Sequence, residues 1–169
     1  MTASDTVSTT QSVQVLARIG DRLQTPPATL LVVPQPDSIA RTSPEITTTA
    51  ALPALDTLRV VVTGLNVRHE RVNVQGILVR YRITGVFGPS ATTATTILTA
   101  DGGIVVRPDS LFAVDTTDAS GAAARTLVVA GSGVDSVVVF ARARALNGAR
   151  LTGDSVHFVL RVVPTPATP

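Results

Sequence analysis

The side chains that could do chemistry in this chain are 2 His, 12 Asp and Glu, many Ser and Thr, and 14 basic residues, every one of them Arg. His69-Glu70 has the residue types of an acid–base pair. The other histidine, His157, lies far along the chain, and a metal centre needs three or four convergent ligands. An exposed polar turn accounts for His69-Glu70. Asp115 and Asp118 could offer carboxylates to Ca²⁺, but a calcium loop gathers more of them at tighter spacing. Asp118, ahead of Ala119-Ser120-Gly121, is placed to cap its own turn. No Gly-x-Ser-x-Gly elbow occurs, and no constellation supplies nucleophile, base and orienter together. With no Cys, disulfides and thiolate sites are excluded. With no Lys, so are Schiff bases, a phosphate-loop lysine and Lys–Asn isopeptide staples. The expectation is a chain that is not an enzyme, with no catalytic, cofactor-binding or metal residues.

The arginines are patterned. Arg80 and Arg82 share the parity of one segment, Arg142 and Arg144 that of another, and Arg161 falls in a third with His157 at the same parity. If these segments are neighbouring strands, the side chains form an outward basic face that could meet an acidic glycan or another polyanion. An ordinary solvated sheet face explains the same pattern. Nucleic acid is not expected. The net charge is only +2, aromatic residues are 3%, and Tyr81 has inward parity, so stacking platforms are missing.

The segments that must position these residues read as β-strands. The composition is 44% hydrophobic, dominated by Val, Leu, Ile and Ala, with abundant Thr. β-Branched residues suit a pleated sheet, and the charged fraction of 15% fits a packed core. Strands are expected at Ser12 to Arg18, Ala28 to Val33, Ser38 to Arg41, Leu58 to Thr63, Gly76 to Ile83, near Ile97-Leu98, at Gly103 to Arg107, Ala123 to Val129, Ser136 to Arg144 and Ser155 to Val163. Within Gly76 to Ile83, Ile77, Val79, Tyr81 and Ile83 alternate with Arg80 and Arg82, the period of a half-buried strand. Thr-rich residues after Arg41 and the Gly/Thr/Ala-rich stretch 85–103 read mainly as connections. Asn147-Gly148 marks the turn between the last two strands. Short strands at regular spacing, with no convincing helix, predict an all-β sandwich or barrel. No stretch approaches the ~18 apolar residues of a membrane span. Met1 to Asp5 lacks the basic region and apolar core of a signal peptide.

An internal repeat divides the chain. Ser12-Val13-Gln14-Val15-Leu16-Ala17-Arg18, then Leu30-Leu31-Val32-Val33-Pro34, parallels Ser136-Val137-Val138-Val139-Phe140-Ala141-Arg142, then Leu160-Arg161-Val162-Val163-Pro164. Residues 1–35 therefore read as an arm and β-hairpin like the end of a preceding module. Residues 36–163 read as the sandwich, and 164–169 as a Pro/Thr tail.

Residues 36–163 resemble the bacterial immunoglobulin-like repeats of the invasin/intimin type. The matching segments are Pro36-Asp37-Ser38-Ile39-Ala40, Val60-Val61-Val62-Thr63, Val74-Gln75-Gly76-Ile77-Leu78-Val79-Arg80-Tyr81, Thr117-Asp118-Ala119-Ser120-Gly121-Ala122-Ala123, and the closing hairpin Ser136 to Val163. Thr63-Gly64 stands where the family usually has an Asp, and His69-Glu70-Arg71 replaces its Gly-Asn turn. The resemblance implies an immunoglobulin-like antiparallel β-sandwich, an extracellular or cell-surface location, and a structural or adhesive role with no catalytic residue to transfer.

Parity also turns Leu78, Val138, Phe140 and Val159 outward, which suggests a covered surface. The cover is a neighbouring module, a subunit or the N-terminal hairpin, which either folds back on its own domain or completes a neighbour's sheet. Neighbouring copies or modules of the same type, joined head to tail through that hairpin, are the expected partners. A ligand-binding module using the arginine face for a surface glycan is the alternative.

Overall fold

The computed structural model describes residues 11–15, 18–19, 22–23, 28–50, 52–66, 68–89, 96–99, 112–131, 133–153 and 155–163. Among them every regular element is a strand. Among the described residues no helix is long and apolar enough to cross a membrane. The expected strand at Gly103 to Arg107 and the tail 164–169 lie outside the described residues.

Two five-stranded sheets carry the sandwich. The first contains β5 (Pro36–Arg41), β7 (Ala54–Leu65), β12 (Ala122–Val129) and β10 (Thr96–Thr99), with β8 (Arg71–Asn73) paired to the end of β7. The second runs in the order β11 (Phe112–Thr116), β9 (Leu78–Phe87), β13 (Ser136–Ala143), β14 (Val156–Val162), β6 (Ile46–Thr49). All pairings are antiparallel except that of β14 with β6. Strands β5-β7-β12-β10 occupy the A-B-E-D positions of an immunoglobulin sheet, and β9-β13-β14 the C-F-G positions. The fold is an immunoglobulin-like antiparallel β-sandwich with an N-terminal β-hairpin extension.

Period-2 alternation builds the core. Leu58, Val60 and Val62 of β7 face Val79 and Tyr81 of β9, Val137 and Val139 of β13, and Phe158 and Leu160 of β14; all are fully or almost fully buried. Each such side chain contributes about 1.5–3 kcal/mol of transfer free energy. The Tyr81 hydroxyl donates to the Ala123 carbonyl at 2.8 Å, tying β9 of one sheet to β12 of the other. Buried Thr117 accepts from the Ile77 amide at 2.9 Å and donates to the Val74 carbonyl at 2.7 Å, so the chain entering β9 has its polar groups satisfied. Gly121 has φ 72°, and a Cβ there would lie 2.6 Å from the Val62 carbonyl oxygen. The turn after β11 therefore requires glycine.

Some boundaries differ from the sequence expectation. The ladder of β9 begins at Leu78, because Gly76 turns the chain with φ 80°. It extends to Phe87, through a stretch expected to be loop, across a bulge opposite Val138 and Val139. The Thr-rich connection contains β6, which closes the edge of β14 by parallel pairing. Phe112–Thr116 is a strand that was not expected. It adds to the free edge of β9, the edge that variable-type immunoglobulin domains extend.

Ahead of the sandwich, β1 (Gln11–Val15) pairs with β4 (Ala28–Val32) in a separate two-stranded sheet. Of the expected strand from Ser12 to Arg18, Ser12 to Val15 lie in β1, and Leu16 and Ala17 fall outside the described residues. Inside the connection, β2 (Arg18–Ile19) and β3 (Arg22–Leu23) form a second, very short ladder.

Candidate functional site

The hairpin repeats the geometry of β13 and β14 as well as their sequence. Val13 pairs with Leu30 and Ser12 with Leu31; Val137 pairs with Leu160 and Ser136 with Arg161. The two hairpins thus share one register, which fixes which side chains share a face. Their surroundings differ completely. Val137, Val139, Leu160 and Val162 are 0%, 0%, 0% and 8% exposed, sealed under the opposite sheet. Their counterparts Val13, Val15, Leu30 and Val32 are 42%, 45%, 54% and 36% exposed. The hairpin is built like the F–G hairpin of a sandwich, and its inward face lacks an opposing sheet among the described residues.

A second apolar surface lies on the outer face of the β11-β9-β13-β14-β6 sheet. Val138 pairs with Val159, and Val159 with Ile46, so three aliphatic side chains form a row across three strands. Phe140 and His157 are cross-strand partners one row further along, with ring centroids 5.7 Å apart at 44°. Val138, Phe140 and Val159 are half-buried by their neighbours, while Ile46 and Leu78 are exposed. The four residues expected to form a covered surface all lie on this face. Val138, Phe140 and Val159 are contiguous, and Leu78 stands at the other end of β9.

The same face carries the arginines. Arg80 of β9 is directly opposite Arg142 of β13; Arg82 is opposite Phe140. The bridge from Arg144 to Arg150 sets another arginine beside the cluster. Arg80, Arg82, Arg142 and Arg144 line a groove of about 580 Å³ together with Leu78, Phe140 and Leu146. The Arg80 guanidinium lies 4.4 Å from the centroid of the Phe112 ring, a cation–π contact. None of these four arginines forms an ion pair with a carboxylate among the described residues. Glu45 receives both Arg41 and the His157 Nε2, each at 2.6 Å, and Asp115 receives Arg125 at 3.0 Å. Arg161 shares the face but pairs with Ser136 and Thr48, outside the groove.

The remaining candidates are committed to structure. Asp118 accepts from the Ser120 amide at 2.8 Å, the Ser120 hydroxyl at 2.6 Å and the Ala122 amide at 3.0 Å. These bonds hold its carboxyl below the usual range, the Ser120 side chain contributing most. Asp115 accepts from the Ala124 amide at 2.8 Å besides its pairing with Arg125. His69 is exposed at φ 61° in a turn organised by Asn66, which accepts the Arg68 and Glu70 amides at 2.8 and 2.9 Å. Among the described residues no group of three or more His, Asp or Glu could hold a metal ion.

Parity in the sequence places the arginines on one face. It misses Leu146 and Phe112. Leu146 reaches the groove only through the tight turn at Asn147-Gly148, where the Gly148 amide donates to the Ala145 carbonyl at 2.8 Å. Phe112 belongs to a strand whose larger apolar side chains, Phe112 and Val114, point outward.

No protein-family model matches the chain, and no curated protein matches its sequence. Among solved structures, the chain is similar to domains 4 and 5 of the S-layer protein SbsC, at 14% identity and a TM-score of 0.39, over 95% of this chain and 74% of that one. It is also similar to a PapD-like domain of human CEP192, at 10% identity and a TM-score of 0.34, over 88% of this chain and 99% of that one.

Proposed function

We propose that this chain is a non-enzymatic structural segment of a bacterial cell-surface or secreted protein, built from modules of the invasin/intimin type and joined to neighbours of its own kind. The observation that carries the reading is the N-terminal hairpin. It has the register of β13 and β14, and it leaves exposed the four side chains that a sandwich would bury. An apolar sheet face of this kind is stabilised by packing against another sheet.

The occupant is a neighbouring copy, and the surface it offers is the outer row Val138, Val159 and Ile46 with Phe140. Both faces belong to one chain and differ from each other. The contact is therefore heterologous and propagates head to tail unless the rotation closes it into a ring.

The chain contains no cysteine, so introduced thiols are unique. Val13→Cys and Val159→Cys are made in separate chains and mixed under mild oxidation. A disulfide-linked heterodimer is the expected product. Absence of that product, with an internal disulfide in a chain carrying both substitutions, would show the hairpin folded onto its own sandwich and would overturn the reading.

A further inference from the structure

We infer that the groove beside Phe140 is a binding site for a linear acidic polysaccharide, held through Arg80, Arg82, Arg142 and Arg144. The groove shares Phe140 with the proposed assembly surface, whose Val138, Val159 and Ile46 lie outside it.

The arrangement begins with an unfavourable contact. Arg80 and Arg142 are direct cross-strand partners, and like charges at that position repel. Arg82 and Arg144 extend the charge to either side along the strands, over roughly 13 Å at the rise of a β-strand. The four have no carboxylate partner among the described residues, although carboxylates elsewhere on the domain are paired. Guanidinium forks held in a row fit carboxylate or sulfate groups spaced along a polymer. An anion between Arg80 and Arg142 would relieve their repulsion.

The groove itself selects among polyanions. Leu78, Phe140 and Leu146 give it apolar ground for the C–H faces of sugar rings, and Thr84 adds a hydroxyl. Nucleobase stacking is poorly served. Tyr81 and Phe158 are buried, Arg80 covers a face of Phe112, and Phe140 tilts against His157.

The test measures binding of the intact chain to alginate, dextran sulfate, uncharged dextran and oligo-dT at low and physiological salt. Binding to alginate or dextran sulfate, weakened by salt, is expected, with no binding to dextran and weaker binding to oligo-dT. The double variant Arg80→Gln/Arg142→Gln should lose about tenfold or more in affinity, as expected for removing charge-assisted hydrogen bonds, while its melting temperature does not fall. The variant Arg59→Gln/Arg68→Gln removes the same charge from exposed positions elsewhere and should change affinity less than about threefold. No binding to either acidic glycan, an equal loss in both double variants, or binding to oligo-dT as tight as to the glycans would overturn the assignment.

Discussion

Val13 and Leu30 are direct partners across β1 and β4, and both lie open to solvent, at 42% and 54% exposure. Val137 and Leu160 hold the same register in β13 and β14 and are fully buried. Equivalent substitutions should therefore have opposite outcomes. Leu160→Ala removes a core side chain and should cost about 2–5 kcal/mol in urea unfolding of dilute protein. Leu30→Ala should stay within about 0.5 kcal/mol of the parent in the same measurement and should weaken self-association instead. A large loss of monomer stability in Leu30→Ala would place the hairpin under its own sandwich.

Tyr81 joins the two sheets through its hydroxyl to Ala123. Tyr81→Phe keeps the ring and its packing but takes a hydrogen bond from a carbonyl in the core. The expected cost is about 1–3 kcal/mol, read from the urea midpoint at unchanged slope.

Gly121 ends the Asp118 turn in a left-handed conformation, its amide donating to the Asp118 carbonyl at 2.9 Å. Gly121→Ala would combine that backbone strain with a methyl 2.6 Å from the Val62 oxygen. A loss of about 2 kcal/mol or more is expected. By contrast, Gly148→Ala meets no atom within 4 Å and carries only the strain of its φ of 81°, so it should cost less. Thermal melts of the two variants give the comparison.

Two aspartates should give stability opposite dependences on pH. Burial raises Asp56 above its ordinary value, more than its bonds from the Thr47 side chain and the Thr57 backbone lower it. A raised carboxyl stabilises the fold when protonated, and that contribution is lost as pH rises through the folded-state value. Asp56→Asn should therefore be more stable than the parent at neutral pH and lose the advantage in acid. Asp118 is shifted down, so its contribution is present above the ordinary carboxylate value and disappears as pH falls through the lowered one. Asp118→Ala should be less stable than the parent at neutral pH, with the gap closing in acid. Melting temperatures from acid to neutral pH check both signs.

Much of the sandwich was legible because β9, β13 and β14 alternate cleanly, Val79, Tyr81 and Ile83 inward and Arg80 and Arg82 outward. The repeat in the sequence likewise anticipated a hairpin whose register proves identical to that of β13 and β14. Strand β11 escaped because its pattern is inverted. Its inward positions are Ala113 and Asp115, while Phe112 and Val114 are exposed, so polarity does not report which side is the core. Strand β6 escaped because Ile46-Thr47-Thr48-Thr49 has almost no contrast between its faces; its place is fixed by parallel pairing with β14, a long-range contact. The arginine groove was half legible. Parity aligns Arg80 with Arg82 and Arg142 with Arg144, but the pairing of Arg80 with Arg142 and the wall at Leu146 depend on register and on a turn.

Head-to-tail assembly is tested most directly by the mass of the wild-type chain in solution. Light scattering across a concentration series, with electron microscopy of the same samples, should give multiples of 17.5 kDa that grow with concentration, and closed rings or filaments in the images. The variant Val13→Asp/Leu30→Asp should remain a folded monomer. A wild-type mass of 17.5 kDa at every concentration, with hairpin amides protected from hydrogen exchange, would contradict assembly and assign the hairpin to its own domain.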